Sequence, residues 1–109
     1  MDQKEERLSR ALSAQPRREI IRILSKNEST VKDIAKKSNI SVSLASRHLK
    51  FLYDLGFLSI RKKYPFKYYS LRIKELKNLL ELYDKVSTKL WKKQEKEVKR
   101  TVITKKELF

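Results

Sequence analysis

The 109 residues carry 28 Lys or Arg against 13 Asp or Glu, a formal net charge of +15. That length suits one domain with a modest core, which self-association would enlarge, and that charge calls for an anionic partner, nucleic acid before any other. There is no cysteine and only one histidine, His48, which excludes disulfides, thiolate metal sites, a histidine pair for zinc, and any Ser-His-Asp or Cys-His arrangement. No acid-base pair, nucleophile or cofactor loop stands out, so neither an enzyme nor a cofactor-binding protein is expected. No apolar run approaches bilayer length and no signal-peptide or lipidation pattern occurs, so the expectation is a soluble, cytoplasmic protein with no membrane partner.

Lys4 to Leu12 places Leu8, Ala11 and Leu12 on one side with charges elsewhere, a short amphipathic helix. Pro16 opens a second helix, with Ile20, Ile21, Ile23 and Leu24 as its apolar face and Arg17, Arg18 and Arg22 expected outward. Asn27-Glu28-Ser29 breaks that pattern. Thr30-Val31-Lys32-Asp33 is a capping box for a third helix that turns Val31, Ile34 and Ala35 inward and ends near Lys37.

A tight turn at Ser38-Asn39 leads to Ser41, the N-cap of a helix reaching about Leu55. Ala45, Leu49, Leu52 and Leu55 form its buried stripe, while Ser43, Ser46, Arg47 and Lys50 fall on the opposite face. Gly56, the only glycine, stands where a helix C-terminus needs positive φ. The outer face is small, hydroxylated and basic, the kind that lets a helix axis approach base edges in a major groove.

Phe57 to Lys62 alternates like a strand with one wet face, and Tyr68 to Leu71 returns. Tyr64-Pro65-Phe66-Lys67 is read as the turn between them, with Pro65 second in a type I turn, so the pair makes a basic wing. From Ile73 the period is helical again through Leu76, Leu79, Leu80, Tyr83, Val86 and Leu90. A helix from there to about Arg100 would be roughly 42 Å long, more than a small domain can cover, which favours an isologous helix pair in a homodimer. The apolar stripe fades after Trp91, and Thr101 to Phe109 has no clear period.

The fold class is therefore mainly α with a small β-hairpin: a winged helix-turn-helix over residues 1–72 and a long C-terminal dimerisation helix with a basic tail over 73–109. The segments ALSAQPRREIIRIL, STVKDIAKKSNISVSLASRHLKFLYDLGFL and RKKYPFKYYSLR together resemble the ArsR-type winged-helix transcriptional regulators, from about Ala11 to Arg72. The resemblance implies a homodimer built by the first and last helices, recognition helices in successive major grooves, and wings on backbone or minor groove. It matches the family's base-reading positions to Val42, Ser43, Ser46 and Arg47.

Three features depart from the family. Ser29 to Ile34 has no cysteine pair where the metal sensors carry one, the last helix has no histidine for their other metal site, and Pro65 replaces a glycine in the wing. No metal is therefore expected.

Ser41, Val42, Ser43, Ser46, Arg47, Lys50, Arg61, Lys62, Lys63 and Lys67 are the candidate contacts to double-stranded DNA. Leu8, Leu12, Leu76, Leu79, Tyr83, Val86 and Leu90 are the candidate dimer contacts. Arg47 is read against guanine or phosphate, Lys50 against phosphate, and His48 as a structural or phosphate contact. Val42 has two readings, a thymine-methyl contact and a half-buried core position. Wing lysines can simply solvate an edge strand, but from Lys36 to Lys74 ten Lys or Arg stand against one acid, Asp54, a bias that suits phosphate. The expected function is a sequence-specific, nucleoid-associated transcriptional regulator acting as a repressor. The rival is an architectural or nonspecific nucleic-acid protein in which charge alone acts.

Overall fold

A computed structural model describes residues 3–108, with side chains described as far as Val98. Five helices and one hairpin follow in the order α1 (Lys4–Leu12), α2 (Gln15–Lys26), α3 (Val31–Ser38), α4 (Val42–Asp54), β1 (Leu58–Lys63), β2 (Phe66–Leu71) and α5 (Glu75–Leu108). The chain divides into two compact units, one running to Asn78 and one beginning at Leu79.

In the first unit the core is the set of apolar faces read from the helical period. Ala11 of α1, Ile20, Ile21 and Leu24 of α2, Ile34 and Ala35 of α3, and Ala45, Leu49 and Leu52 of α4 are buried, joined by Phe57, Leu58 and Leu71 at the base of the hairpin. Each fully buried leucine or isoleucine contributes about 1.5–3 kcal/mol relative to exposure. Local chemistry fixes the helix ends. Thr30 Oγ1 accepts from Asp33 N at 3.3 Å to start α3, and Asn39, at φ 55°, ends it in the left-handed region that asparagine tolerates.

Arg17 and Arg18 do not point outward as expected. Arg17 Nη2 donates to Arg10 O at 2.7 Å and its Nε to Ala11 O at 3.2 Å, while Arg18 Nη1 donates to Leu12 O at 2.6 Å. The last turn of a helix leaves carbonyls without intrahelical donors, and a guanidinium can satisfy several at once. The two arginines thus close the C-terminus of α1 from the first turns of α2.

The wing is an antiparallel pair in which Leu58 faces Leu71, Ile60 faces Tyr69, Arg61 faces Tyr68, Lys62 faces Lys67 and Lys63 faces Phe66. Phe66 and Lys67 therefore belong to the second strand, and the connection is the two residues Tyr64-Pro65 joined by a cis peptide. A proline third in the turn, rather than second in a type I turn, is the arrangement that a cis bond permits. The free edge of β2 is also paired, since Ser29 N donates to Tyr69 O at 3.0 Å and Tyr69 N to Ser29 O at 2.8 Å. That bridge ties the wing to the chain entering α3.

α5 starts at Glu75, two residues later than expected, because Ile73 and Lys74 form a tight lead-in whose carbonyls accept from Leu76 N and Lys77 N. Its helical backbone continues to Leu108, through the segment without an apolar period, so its 34 residues span about 51 Å. Leu76 is buried at 2 % exposure. In the second unit Leu82, Tyr83, Val86, Leu90, Trp91 and Val98 are all exposed. The part of the basic tail beyond Val98 lies outside the residues whose side chains are described.

Candidate nucleic-acid interface

α4 is two-sided. Ser41 Oγ accepts from Leu44 N at 3.0 Å and fixes the first turn, and at the other end Gly56, at φ 95°, takes the chain out of the helix. The inward face is sealed by Ala45, Leu49 and Leu52, each fully buried. A rotation of the helix about its axis would expose that face, so the outward face is held in one orientation. It presents Ser41, Ser43, Ser46, Arg47 and Lys50, together with Val42 at 48 % exposure, which is more than a core valine retains. Small side chains at Ser43 and Ser46 leave the helix backbone accessible, with Arg47 the longest group between them and Lys50.

The cations of the two elements differ in how they are held. Lys50 Nζ lies 2.9 Å from Asp54 Oδ2, one turn along α4, an exposed pair of small energetic worth. Arg61 is more firmly engaged, with Nη2 2.7 Å from Glu28 Oε1, Nε 3.3 Å from Glu28 Oε2, and its guanidinium 4.6 Å from the Tyr68 ring centre. The hydrogen bond from Arg61 holds the Glu28 carboxyl below its usual pKa, and Glu28 in turn raises that of Arg61. None of Arg47, Lys62, Lys63 and Lys67 has a carboxylate partner among the described residues.

Behind Arg47 stands a cluster that the sequence reading did not anticipate. Arg17 lies 4.5 Å and Arg10 5.3 Å from the ring centre of Phe51, both over its π face, and Arg17 Nη1 is 3.5 Å from His48 Nδ1. An arginine only donates, so Nδ1 accepts and the ring proton sits on Nε2. Burial first, then the charges of Arg17 and Arg47, push the His48 pKa below its ordinary value. His48 is thus a structural contact to α2.

Residues 15–59, from the start of α2 to the first residues of the wing, match the family described as bacterial regulatory protein, arsR family. Over those residues the chain is similar to the ArsR family, and its fold is that of a winged helix-turn-helix. Among solved structures, the homodimeric winged helix-turn-helix DNA-binding domain of Mb0332 from Mycobacterium bovis, a possible ArsR-family transcriptional regulator, is similar at 25 % identity and a TM-score of 0.69. The match covers 78 % of this chain and 79 % of that one. Reduced HlyU from Vibrio cholerae N16961 is similar at 29 % identity and a TM-score of 0.69, over 76 % of this chain and 87 % of that one. The transcriptional repressor BigR from Xylella fastidiosa shares the fold, with a TM-score of 0.71 at 19 % identity over 76 % and 85 % of the two chains. No curated protein matches the sequence.

Within this winged helix-turn-helix the wing and α4 carry all the candidate contact residues. The wing places Lys63 and Phe66 on one face of the ribbon and Lys62 and Lys67 on the other, with Tyr64 at the tip 98 % exposed. Among the described residues, no three His, Cys, Asp or Glu side chains are grouped to hold a metal ion, and no helix is long and apolar enough to cross a membrane. Of the candidate dimer residues, Leu8, Leu12 and Leu79 are half-buried, Leu76 is buried, and Tyr83, Val86 and Leu90 are exposed. Two partners escaped the sequence reading: Ser29, whose bridge to Tyr69 leaves no periodic signal, and Glu28, whose pairing with Arg61 spans 33 residues.

Proposed function

We propose that the protein binds a specific double-stranded DNA sequence as a homodimer and represses transcription from the site it occupies. Residues 1–72 act as the DNA-binding domain, and residues 73–109 act as the dimerisation helix with a basic tail. The observation that carries the reading is the outward face of α4: a helix capped at both ends and sealed inward, offering Val42, Ser43, Ser46 and Arg47 to a groove. Lys62, Lys63 and Lys67, without carboxylate partners, supply phosphate contacts that set register and orientation. Exposed Tyr83, Val86 and Leu90 support the dimer, as does the homodimeric state of the Mb0332 domain. Repression rests on the likeness to the family, and the proposed place of action is the cytoplasm, on the nucleoid.

Selection of bound sequences from random duplex, followed by affinity measurement on the selected and a random site, tests the reading. A specific regulator gives a ratio of about 10³ or more at physiological salt, whereas binding by charge alone gives a ratio near one. The net charge of +15 favours that second reading, an architectural protein, should the ratio stay near one. Charged residues at Val86 and Leu90 should release monomers in sedimentation and weaken operator binding together.

A further inference from the structure

Between the start of α3 and the tip of the wing lies a half-open cleft of about 440 Å³. That volume is in the range of small-molecule sites. Its walls are apolar, formed by Val31 on one side and Pro65, Phe66 and Tyr69 on the other, and its charged groups are Lys32 and Lys67, with no carboxylate among the lining residues. Lys67 stands directly across the ribbon from Lys62. Like charges opposite one another destabilise a strand pair, and none of the three lysines has a carboxylate partner among the described residues. The acid in the adjacent loop, Glu28, is already committed to Arg61. The segments that line the cleft are tied to each other, because Ser29, next to Thr30, exchanges two backbone hydrogen bonds with Tyr69, and Thr30 caps α3.

We propose that this cleft binds a small organic anion with a flat apolar body, of the aromatic carboxylate class, and that its occupancy opposes DNA binding. The body packs against Val31, Pro65, Phe66 and Tyr69, and the carboxylate is met by Lys32 and Lys67. The second half rests on the DNA reading above, since Lys67 is there a phosphate contact. An anion held by Lys67 competes with phosphate for it, and linkage requires that DNA weaken the anion by the same factor.

The first half is tested without DNA. The full chain is titrated with naphthoate while proton–nitrogen correlation spectra are recorded, and with neutral naphthamide and inorganic phosphate as comparators. Saturable shifts are expected at the amides of Val31, Lys32, Phe66, Lys67 and Tyr69. Affinity should fall by about tenfold or more for naphthamide, for phosphate and for the Lys32→Glu variant, whose spectral dispersion reports its folding. Shifts confined to the second unit, equal binding of naphthamide, or no saturation would overturn the site. Phosphate binding as tight as naphthoate would assign the cleft to the DNA backbone and overturn it too.

The second half is read as the duplex affinity of the wild-type chain, which naphthoate should weaken by about fivefold or more while leaving Lys32→Glu nearly unchanged. Equal duplex affinity with the cleft filled would overturn the competition. A chain that binds no duplex at all would overturn the DNA reading and leave the spectral result intact.

Discussion

α4 and the wing carry similar cations and are built to opposite principles. The helix is capped at both ends and buried along one side, so its outward groups sit in a fixed register against the rest of the unit. The ribbon is attached through its base and the Ser29 bridge, and its outer half, from Arg61 to Lys67, is exposed on every residue. A rigid helix suits reading bases, where a displacement of a fraction of an ångström breaks a hydrogen bond. A solvated ribbon with lysines suits holding phosphates, where a point charge tolerates displacement. The wing's four Lys or Arg outnumber the two of α4, but it is the way each side chain is held that separates reading from holding.

The largest effect that would break this contrast is loss of the sealed face. Leu49→Ala should destabilise the unit by about 2–5 kcal/mol in denaturant unfolding, because a fully buried leucine leaves a cavity when truncated. Alanine at Lys62 or Lys63 should leave stability unchanged within about 0.5 kcal/mol. Equal losses at both places would show that the wing is part of the core.

Arg47→Ala comes next. Its loss should cost about 1–3 kcal/mol on a selected duplex and much less on a random one, the signature of a base contact. An equal loss on both would make Arg47 a phosphate clamp and move α4 into the same class as the wing.

Much of this was legible along the chain because the signals were local. Ser41, Gly56, Thr30 and the apolar periods act within one helical turn, and the helix ends they marked are the ones observed within a residue or two. The match extends to α1, from Lys4 to Leu12. What escaped notice acts across the fold. Arg17 reads as an outward charge in helical projection, yet its partners are α1 carbonyls and groups on α4, and no period encodes a cation returning to cap the preceding helix. Glu28 and Ser29 look like loop filler until the wing folds beside them. The wing turn lies one residue earlier than expected, with Pro65 third rather than second, and the returning strand starts two residues earlier, at Phe66, because the exposed Phe66 and Lys67 show no alternation that marks them as strand. The charges at issue in DNA contact were visible as a group, but their division into paired and unpaired was not.

That division makes a smaller prediction, within the wing. Lys63→Ala should flatten the dependence of log affinity on log salt by about one unit, since an unpaired lysine that neutralises a phosphate releases a counterion. Glu28→Gln should do the reverse on random duplex, steepening the dependence by up to about one unit, because it frees Arg61 from its bidentate partner. No change in Glu28→Gln would mean that Arg61 already engages phosphate while paired, or faces away from DNA.

The smallest effect separates the two regions by pH. His48, in α4, has its folded pKa lowered by burial and by the charges of Arg17 and Arg47, whereas the unfolded chain should titrate near the ordinary 6.5. Above that value the ring is neutral in both states and contributes no difference. Below it the unfolded chain takes up the proton more readily, so stability falls as pH falls, until the folded-state pKa is passed and the slope vanishes. Protonation would also set an imidazolium against Arg17, whose guanidinium is 3.5 Å away with only donors to offer. Glu28, the wing's paired carboxylate, has its pKa lowered as well, so its loss of stabilisation falls at more acid pH than that of His48. Unfolding midpoints measured between about pH 7.5 and pH 5 should therefore drift downward in the wild type and stay flatter in His48→Gln, whose amide can still accept from Arg17. A drift that persists unchanged in His48→Gln would locate the titration elsewhere and remove the Arg17–His48 contact from the set that holds α4 in register.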